Sequence, residues 1–568
     1  MKRIPARILA GTMLCSAGAS LPAMAQNIDY GDINPGSESP GGQRSDGASS
    51  IKSSNPQERG SFVEPYIEIA QVVTARNIPE NETFTYTRVA VGVDASVLTK
   101  RSGGSVSLRY ERHIDWGDDD AKGDFASGIA NGYVSVAPGF QFQAGALATR
   151  ERYGRSGASV PGSQFDDDEV VQIYSVYAGP SMSTAVGDVE LNANYRIGYS
   201  KVDQENARFV APGAPAEDLF DDSVVHNASA SAKVKPGEVL PVGLGVSGSY
   251  YREDASNLDQ RVEDMQVRAT ATLQVSPSVA LTGAVGYEKV EISSRDAVRD
   301  ADGFAVVGRG GNYVTDKASP RILSYDVDGL IWDVGVMWRP SRRTALTANV
   351  GRRYGSTSVT GTFSFAPNPR SSLNLAVYDN VAGFGGQLNS SLAALPTDFS
   401  AIRDPLTGDI SGCVASLEAG NCLSSALGSL RSSAFRAKGV AANYAVRYGG
   451  ITTGIGLGLD RRKFIAAPGT VLAQADGVVD ENYWMEAYLT AQLNNRARFE
   501  TNLYGNWIES GGTFSGDTRA WGANAAYYHS LTNRISARAA LGIEGLTEPE
   551  LSEDFWTASA LVGVRYSF

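Results

Sequence analysis

The chain of 568 residues carries only 3 cysteines and 3 histidines. That scarcity excludes a disulfide-dense scaffold and leaves little material for a zinc centre or a histidine-based triad. His113, His226 and His529 lie far apart, and none belongs to a Ser- or Cys-centred nucleophile motif. No catalytic residue and no cofactor is assigned. A hydrolase site would have to be assembled across distant segments. Beyond residue 25 there is no run of ~18 apolar residues, so no transmembrane helix is available. The formal charge of −12 argues against nucleic acid as a partner, because phosphate backbones call for a basic surface.

What the chain does contain is alternation. Met265, Val267, Ala269, Ala271, Leu273 and Val275 alternate with Gln266, Arg268, Thr270, Thr272 and Gln274. Leu330, Trp332, Val334, Val336 and Trp338 oppose Asp333, Gly335 and Arg339 in the same way. Period two over such lengths is a strand with two different surroundings, longer than the ~5–6 residues usual in soluble sheets. Such alternation also explains a mean hydropathy of only −0.19, since lipid-facing and lumen-facing residues cancel. Aromatic strand ends such as Tyr199, Tyr250, Trp338, Trp507 and Trp556 sit on the apolar parity and suit membrane girdles.

Connections fall into two classes. Short ones, such as Lys235-Pro236-Gly237-Glu238, Ser276-Pro277-Ser278 and Asn494-Asn495-Arg496, are built from turn formers. Long ones run near 114–125, 153–167, 200–222, 293–324, 358–434 and 464–480. The expected fold is therefore all-β: a transmembrane, antiparallel, up-and-down β-barrel of about 20 strands (roughly 18–22), with short periplasmic turns and long extracellular loops. Lys2, Arg3 and Arg7, an apolar stretch, and Ala23-Met24-Ala25 read as a signal peptide over 1–25. Leu14 before Cys15 does not fit a lipobox. The Gly/Ser/Pro-rich stretch 26–60 reads as a disordered periplasmic extension, and 61–568 as the barrel.

A barrel this wide cannot be filled by its own wall, so it needs water or an internal plug. The lumen-facing parity carries Arg109, Glu111, Glu190, Arg196, Arg268, Glu288, Asp333, Arg353 and Arg447. Asp460, Arg462, Glu486, Arg498, Glu500, Arg538, Glu544 and Arg565 continue it. Mixed charges lining water would set up a transverse field for polar or charged solutes; the plainer reading is cross-strand pairing. The loop 358–434 has an apolar middle, with Gly383-Phe384-Gly385 and Leu388 to Leu395, and should fold into or over the lumen, partly as helix. Within it Cys413 and Cys422 suit a disulfide in an exported chain; a metal site is the weaker alternative. Outside, Asp118, Asp119 and Asp120, with Asp166, Asp167 and Asp168, could hold Ca²⁺ or Mg²⁺ and bridge to lipopolysaccharide, although solvated loop charge explains them more simply.

The chain ends on Val562, Val564, Tyr566 and Phe568 of one strand face. This ending resembles the recognition signal of Gram-negative outer-membrane β-barrels, read by the barrel assembly machinery; Val564, Tyr566 and Phe568 would carry it. The run Val106-Ser107-Leu108-Arg109-Tyr110-Glu111-Arg112-His113-Ile114-Asp115-Trp116, with its acidic continuation, resembles an uncharacterised family of such barrels. Those barrels accompany exopolysaccharide and sorting-signal gene clusters, and some carry an automatic label as preprotein translocase subunit YajC. That subunit is a short protein with one membrane helix, which nothing here matches. The resemblance implies an outer-membrane location, lipid and lipopolysaccharide as surroundings, and periplasmic export partners.

Three functions fit these features: a porin-like channel for polar or charged solutes, an exopolysaccharide export conduit, or a closed structural or adhesive barrel. An N-terminal plug domain of more than ~100 residues, as a TonB-dependent receptor needs, is not expected here.

Overall fold

Side chains that alternate between apolar and polar need two solvents, and a sheet closed on itself separates them. In the computed structural model the described residues are 61–77, 81–116, 123–153, 158–160, 170–204, 219–308, 312–417, 422–511, 516–548 and 554–568. The segments expected at 1–25 and 26–60 lie outside them, as do Asp118, Asp119, Asp120, Asp166, Asp167 and Asp168. One sheet of 23 strands is present; without the two-residue strand Ser159–Val160, 22 remain and form the wall. Wall strands pair antiparallel in chain order. The ring closes where Phe62–Arg76 meets Phe555–Ser567, with Ile69 opposite Val564 and Val72 opposite Leu561.

Closure leaves no unpaired sheet edge, which is the condition for backbone inside a bilayer. Val267, Leu273, Leu330, Leu541 and Val562 point outward and are exposed, with Tyr199, Trp338, Trp507 and Trp556 also outward. An apolar exterior around an antiparallel ring is the architecture of the Gram-negative outer membrane. No helix among the described residues is long and apolar enough to cross a membrane; the strands do so.

The ring has one hairpin more than the expectation of about 20 strands. Ser356–Asn368 and Ser371–Ala382 belong to the wall, not to a loop beginning at 358. Their hairpin was hidden because the turn before it is only Tyr354 and Gly355, with φ of 52° and 68°. That turn sits on the rim where long connections are the rule, and Gly361 and Pro367 interrupt the apolar alternation beyond it. The true loop is 383–434.

Candidate functional site: a loop folded into the lumen

The segment 383–434 leaves the rim opposite the termini and turns inward. Its first element is the helix Phe384–Ala394. Phe384, Leu388 and Leu392 recur at i, i+4, i+8 and are wholly buried against Ile173, Tyr177, Val202 and Phe220 of the wall side. Burial of such side chains stabilises docking by about 1.5–3 kcal/mol each. The helix start is held from the wall: Glu253 accepts hydrogen bonds from the amides of Gly383 and Gly386. Beyond the helix, Asn131 donates to the Leu395 carbonyl, and Ser105 Oγ donates to the Thr397 carbonyl at 2.9 Å.

A hairpin of Ser400–Arg403 and Ile410–Ala415 then runs to the closing seam. Its turn is built by Asp404, whose Oδ1 accepts from the amides of Leu406 and Thr407 at 2.7 and 3.0 Å. Leu406 at the tip is buried among Ala70, Val72, Tyr86, Ala526, Ala540 and Leu561, beside the closing seam. Arg403 donates to the Ser107 carbonyl at 3.0 Å and to Ser127 Oγ at 2.7 Å. On the return, Cys413 and Cys422 form a disulfide. Its sulfurs face Gly456, where a side chain would collide. Arg462 donates to the carbonyls of Ser425 and Ser429, and Ser424 donates to Glu486.

Under the hairpin tip lies a belt of charge. Arg109 bridges Glu68 and Glu111, each at 2.8 Å. Arg538 reaches Glu68 at 2.6 Å. Arg88, with its side chain fully buried, lies 3.6 Å from Glu68 and 3.8 Å from Glu111, and donates to the carbonyls of Pro405 and Leu406. Arg150 holds both oxygens of Asp409, at 2.8 and 2.9 Å. Buried charges persist only when paired, so losing one partner costs far more than an exposed pair would. The segment thus completes the wiring of the wall with Asp409 and two backbone carbonyls.

Residues assigned to the lumen from parity sort into three groups. Arg109, Glu111, Asp460, Arg462, Glu486, Arg538 and Glu544 are buried in the half of the barrel that the segment occupies. Here the inward-facing charges lie under the segment. Arg196 lies 5.8 Å from the Tyr177 ring centre in the same half. Arg268 with Asp333 (2.7 Å) and Arg353 with Glu288 (3.3 Å) pair among themselves on the arc 260–368. Glu190 with Lys235, Arg498 with Glu500, Arg565 with Glu64 and Asp94, and the exposed Arg447 lie toward the rim of the termini. There Phe568 donates its amide to Pro65, while Val564 and Tyr566 face outward.

Sequence reading missed Glu68, Arg88, Arg150, Glu151, Glu253, Asp404 and Asp409. The inward parity was a signal for Glu68, Arg88, Glu151 and Glu253; nothing local marks the others.

No family model matches the chain, and no curated protein matches it. Solved structures of similar outline include the FrpB iron transporter from Neisseria meningitidis, 10% identical with a TM-score of 0.43, covering 89% of this chain and 81% of that one. The ferric-catecholate import receptor Fiu from E. coli is 10% identical with a TM-score of 0.41, over 88% and 81% of the two chains. The siderophore receptor PiuA from Acinetobacter baumannii is 8% identical with a TM-score of 0.39, over 88% and 82%. Likeness at this level brings none of those activities to this chain.

Proposed function

We propose that the chain is an outer-membrane transporter for polar or charged solutes, in which the segment 383–434 gates the lumen. The rim bearing both termini faces the periplasm, so the gate enters from the cell surface. One observation carries this reading. The segment packs on the wall around Tyr177 and Val202, reaches the closing seam at Ala70 and Leu561, and through Ser424 and Ser425 bonds Glu486 and Arg462 on strands about half-way round the ring from Tyr177, across the path a solute would take. The arc 260–368 supports it: inward positions there include Thr270, Thr272, Thr282 and Asn349, a hydroxyl- and amide-bearing surface suited to hydrophilic cargo.

The test is single-channel recording in planar bilayers, comparing the intact protein with a variant in which 385–432 is replaced by a short Gly/Ser link. Brief or small steps in the intact protein and steady, larger ohmic steps in the variant are expected. Silence from both would overturn the channel reading.

A further inference from the structure

On the rim that bears both termini, several cations have an acid at hand. Lys235 pairs with Glu190 at 2.5 Å, Arg498 with Glu500 at 3.2 Å, and Arg565 with Glu64 and Asp94. One arc is different. Arg342 and Arg343 form the turn between Ile322–Ser341 and Thr344–Arg353. Arg370 lies in the next turn of this rim, between Ser356–Asn368 and Ser371–Ala382. Arg447 is near the end of the adjoining strand Phe435–Tyr448. All four are exposed. No Asp or Glu occurs between Asp333 and Asp379, or between Lys438 and Asp460.

The backbone gathers these turns into one patch. The Ala366 amide donates to the Arg343 carbonyl at 2.8 Å, and the Arg447 amide to the Arg370 carbonyl at 2.7 Å. The Arg343 guanidinium reaches across to the Pro367 carbonyl at 3.0 Å. Beside the arginines, Trp338, Phe365 and Tyr448 stand exposed on the outward surface, Tyr448 to 74%. Guanidinium forks suit phosphate oxygens, and aromatic rings sit at headgroup depth. A soluble polyanion would meet the arginines and leave the three rings in water. A phospholipid meets both, with its phosphate at the arginines and its upper chains at the rings. Clustered like charges with no acid between them also select a net-negative headgroup, because the ammonium of phosphatidylethanolamine would add to the repulsion.

We propose that this patch is a binding site for anionic phospholipid of the periplasmic leaflet, such as phosphatidylglycerol. Near a membrane surface each arginine contributes about a fivefold preference for anionic lipid. The site takes its leaflet from the orientation given above, with the termini facing the periplasm, and it exists whether or not the lumen conducts.

The experiment uses the full chain refolded into vesicles of phosphatidylethanolamine. These carry a minor fraction of brominated phosphatidylglycerol or, for comparison, of brominated phosphatidylethanolamine. Bromine quenches tryptophan on contact, and the part of the quenching lost in Trp338→Phe reports this patch. The lipid-exchange constant read there should favour phosphatidylglycerol by about tenfold or more, and fade at about 1 M salt, where the Debye length is about 3 Å. Arg342→Gln, Arg343→Gln and Arg370→Gln together should erase the preference, with heat-modifiable gel migration as the check on folding. Should that variant not fold, Arg342→Gln with Arg370→Gln spares the bond to Pro367 and should lower the preference by about fivefold or more. Equal quenching by the two lipids, or a preference untouched by these substitutions, would overturn the proposal. Capture of the detergent-solubilised chain on polyphosphate that phosphatidylglycerol cannot displace would also overturn it, and would mark a soluble polyanion as the partner.

Discussion

Glu253 caps a helix to which it does not belong. From wall strand Val242–Ala255 its carboxylate accepts the amides of Gly383 at 2.7 Å and Gly386 at 2.9 Å, with Tyr251 and Ser223 donating to it as well. An acid at a helix N-terminus satisfies orphan amides and meets the positive end of the dipole. Glu253→Ala should therefore weaken docking of the segment by about 1–3 kcal/mol. Limited proteolysis of the folded barrel would show it as faster cleavage within 383–434, the wall remaining resistant.

Gly386→Ala sets two effects against each other. Helix propensity favours alanine by about 1 kcal/mol. Here, however, a Cβ would collide with the Tyr251 hydroxyl and lie 2.5 Å from Glu253 Oε2. Collision with a packed wall outweighs propensity, so the substitution should loosen the segment. Protection equal to or better than that of the natural protein would refute this.

Leu406→Ala removes the hairpin tip from its socket at the seam. The large-to-small cost in such a site is about 2–5 kcal/mol. Because the seam strands remain paired without it, the barrel itself should survive. Hydrogen exchange at 400–410 should rise while the amides of Phe62–Arg76 stay protected.

Docking of the hairpin should weaken as pH rises. Burial pushes the Asp404 carboxyl up from the ordinary 3.8, and nearby Asp409 adds to it. The docked state thus holds this proton more tightly than the free segment does. Docking is strongest at and below the ordinary value and falls as pH climbs through the raised one. Asp404→Asn should flatten that slope. Protease protection followed against pH makes the comparison, with Arg150, Asp409, Glu151, Glu486 and Glu544 facing the same cavity as Asp404.

Reducing the Cys413–Cys422 bond, which closes a loop of separation 9, should cost the segment about 2–3 kcal/mol in the chain-entropy picture. Faster proteolysis near 411–423, with unchanged gel migration of the barrel, is the expected result.

The wall was legible because a strand between lipid and lumen must alternate, and residues such as Val267 and Arg268 show which face is which. One hairpin escaped because its turn at Tyr354 and Gly355 is tight where looseness was expected. The helix around Leu388 was legible from composition, since an apolar stretch in a long loop needs cover. Its anchors were not. Glu253 is 130 residues from Gly383, and Arg88 is 318 from Leu406; such pairings exist only once the ring has closed.

The segment begins after Ala382 and ends before Phe435, and these two residues are paired neighbours on adjacent strands. Its two tethers therefore rise side by side from a single point on the rim, like the leaves of a hinge. Swinging outward would break the contacts inside yet leave every ladder of the wall intact. An occupant tethered in this way would stay attached to the rim on leaving, and the barrel would not need to unzip.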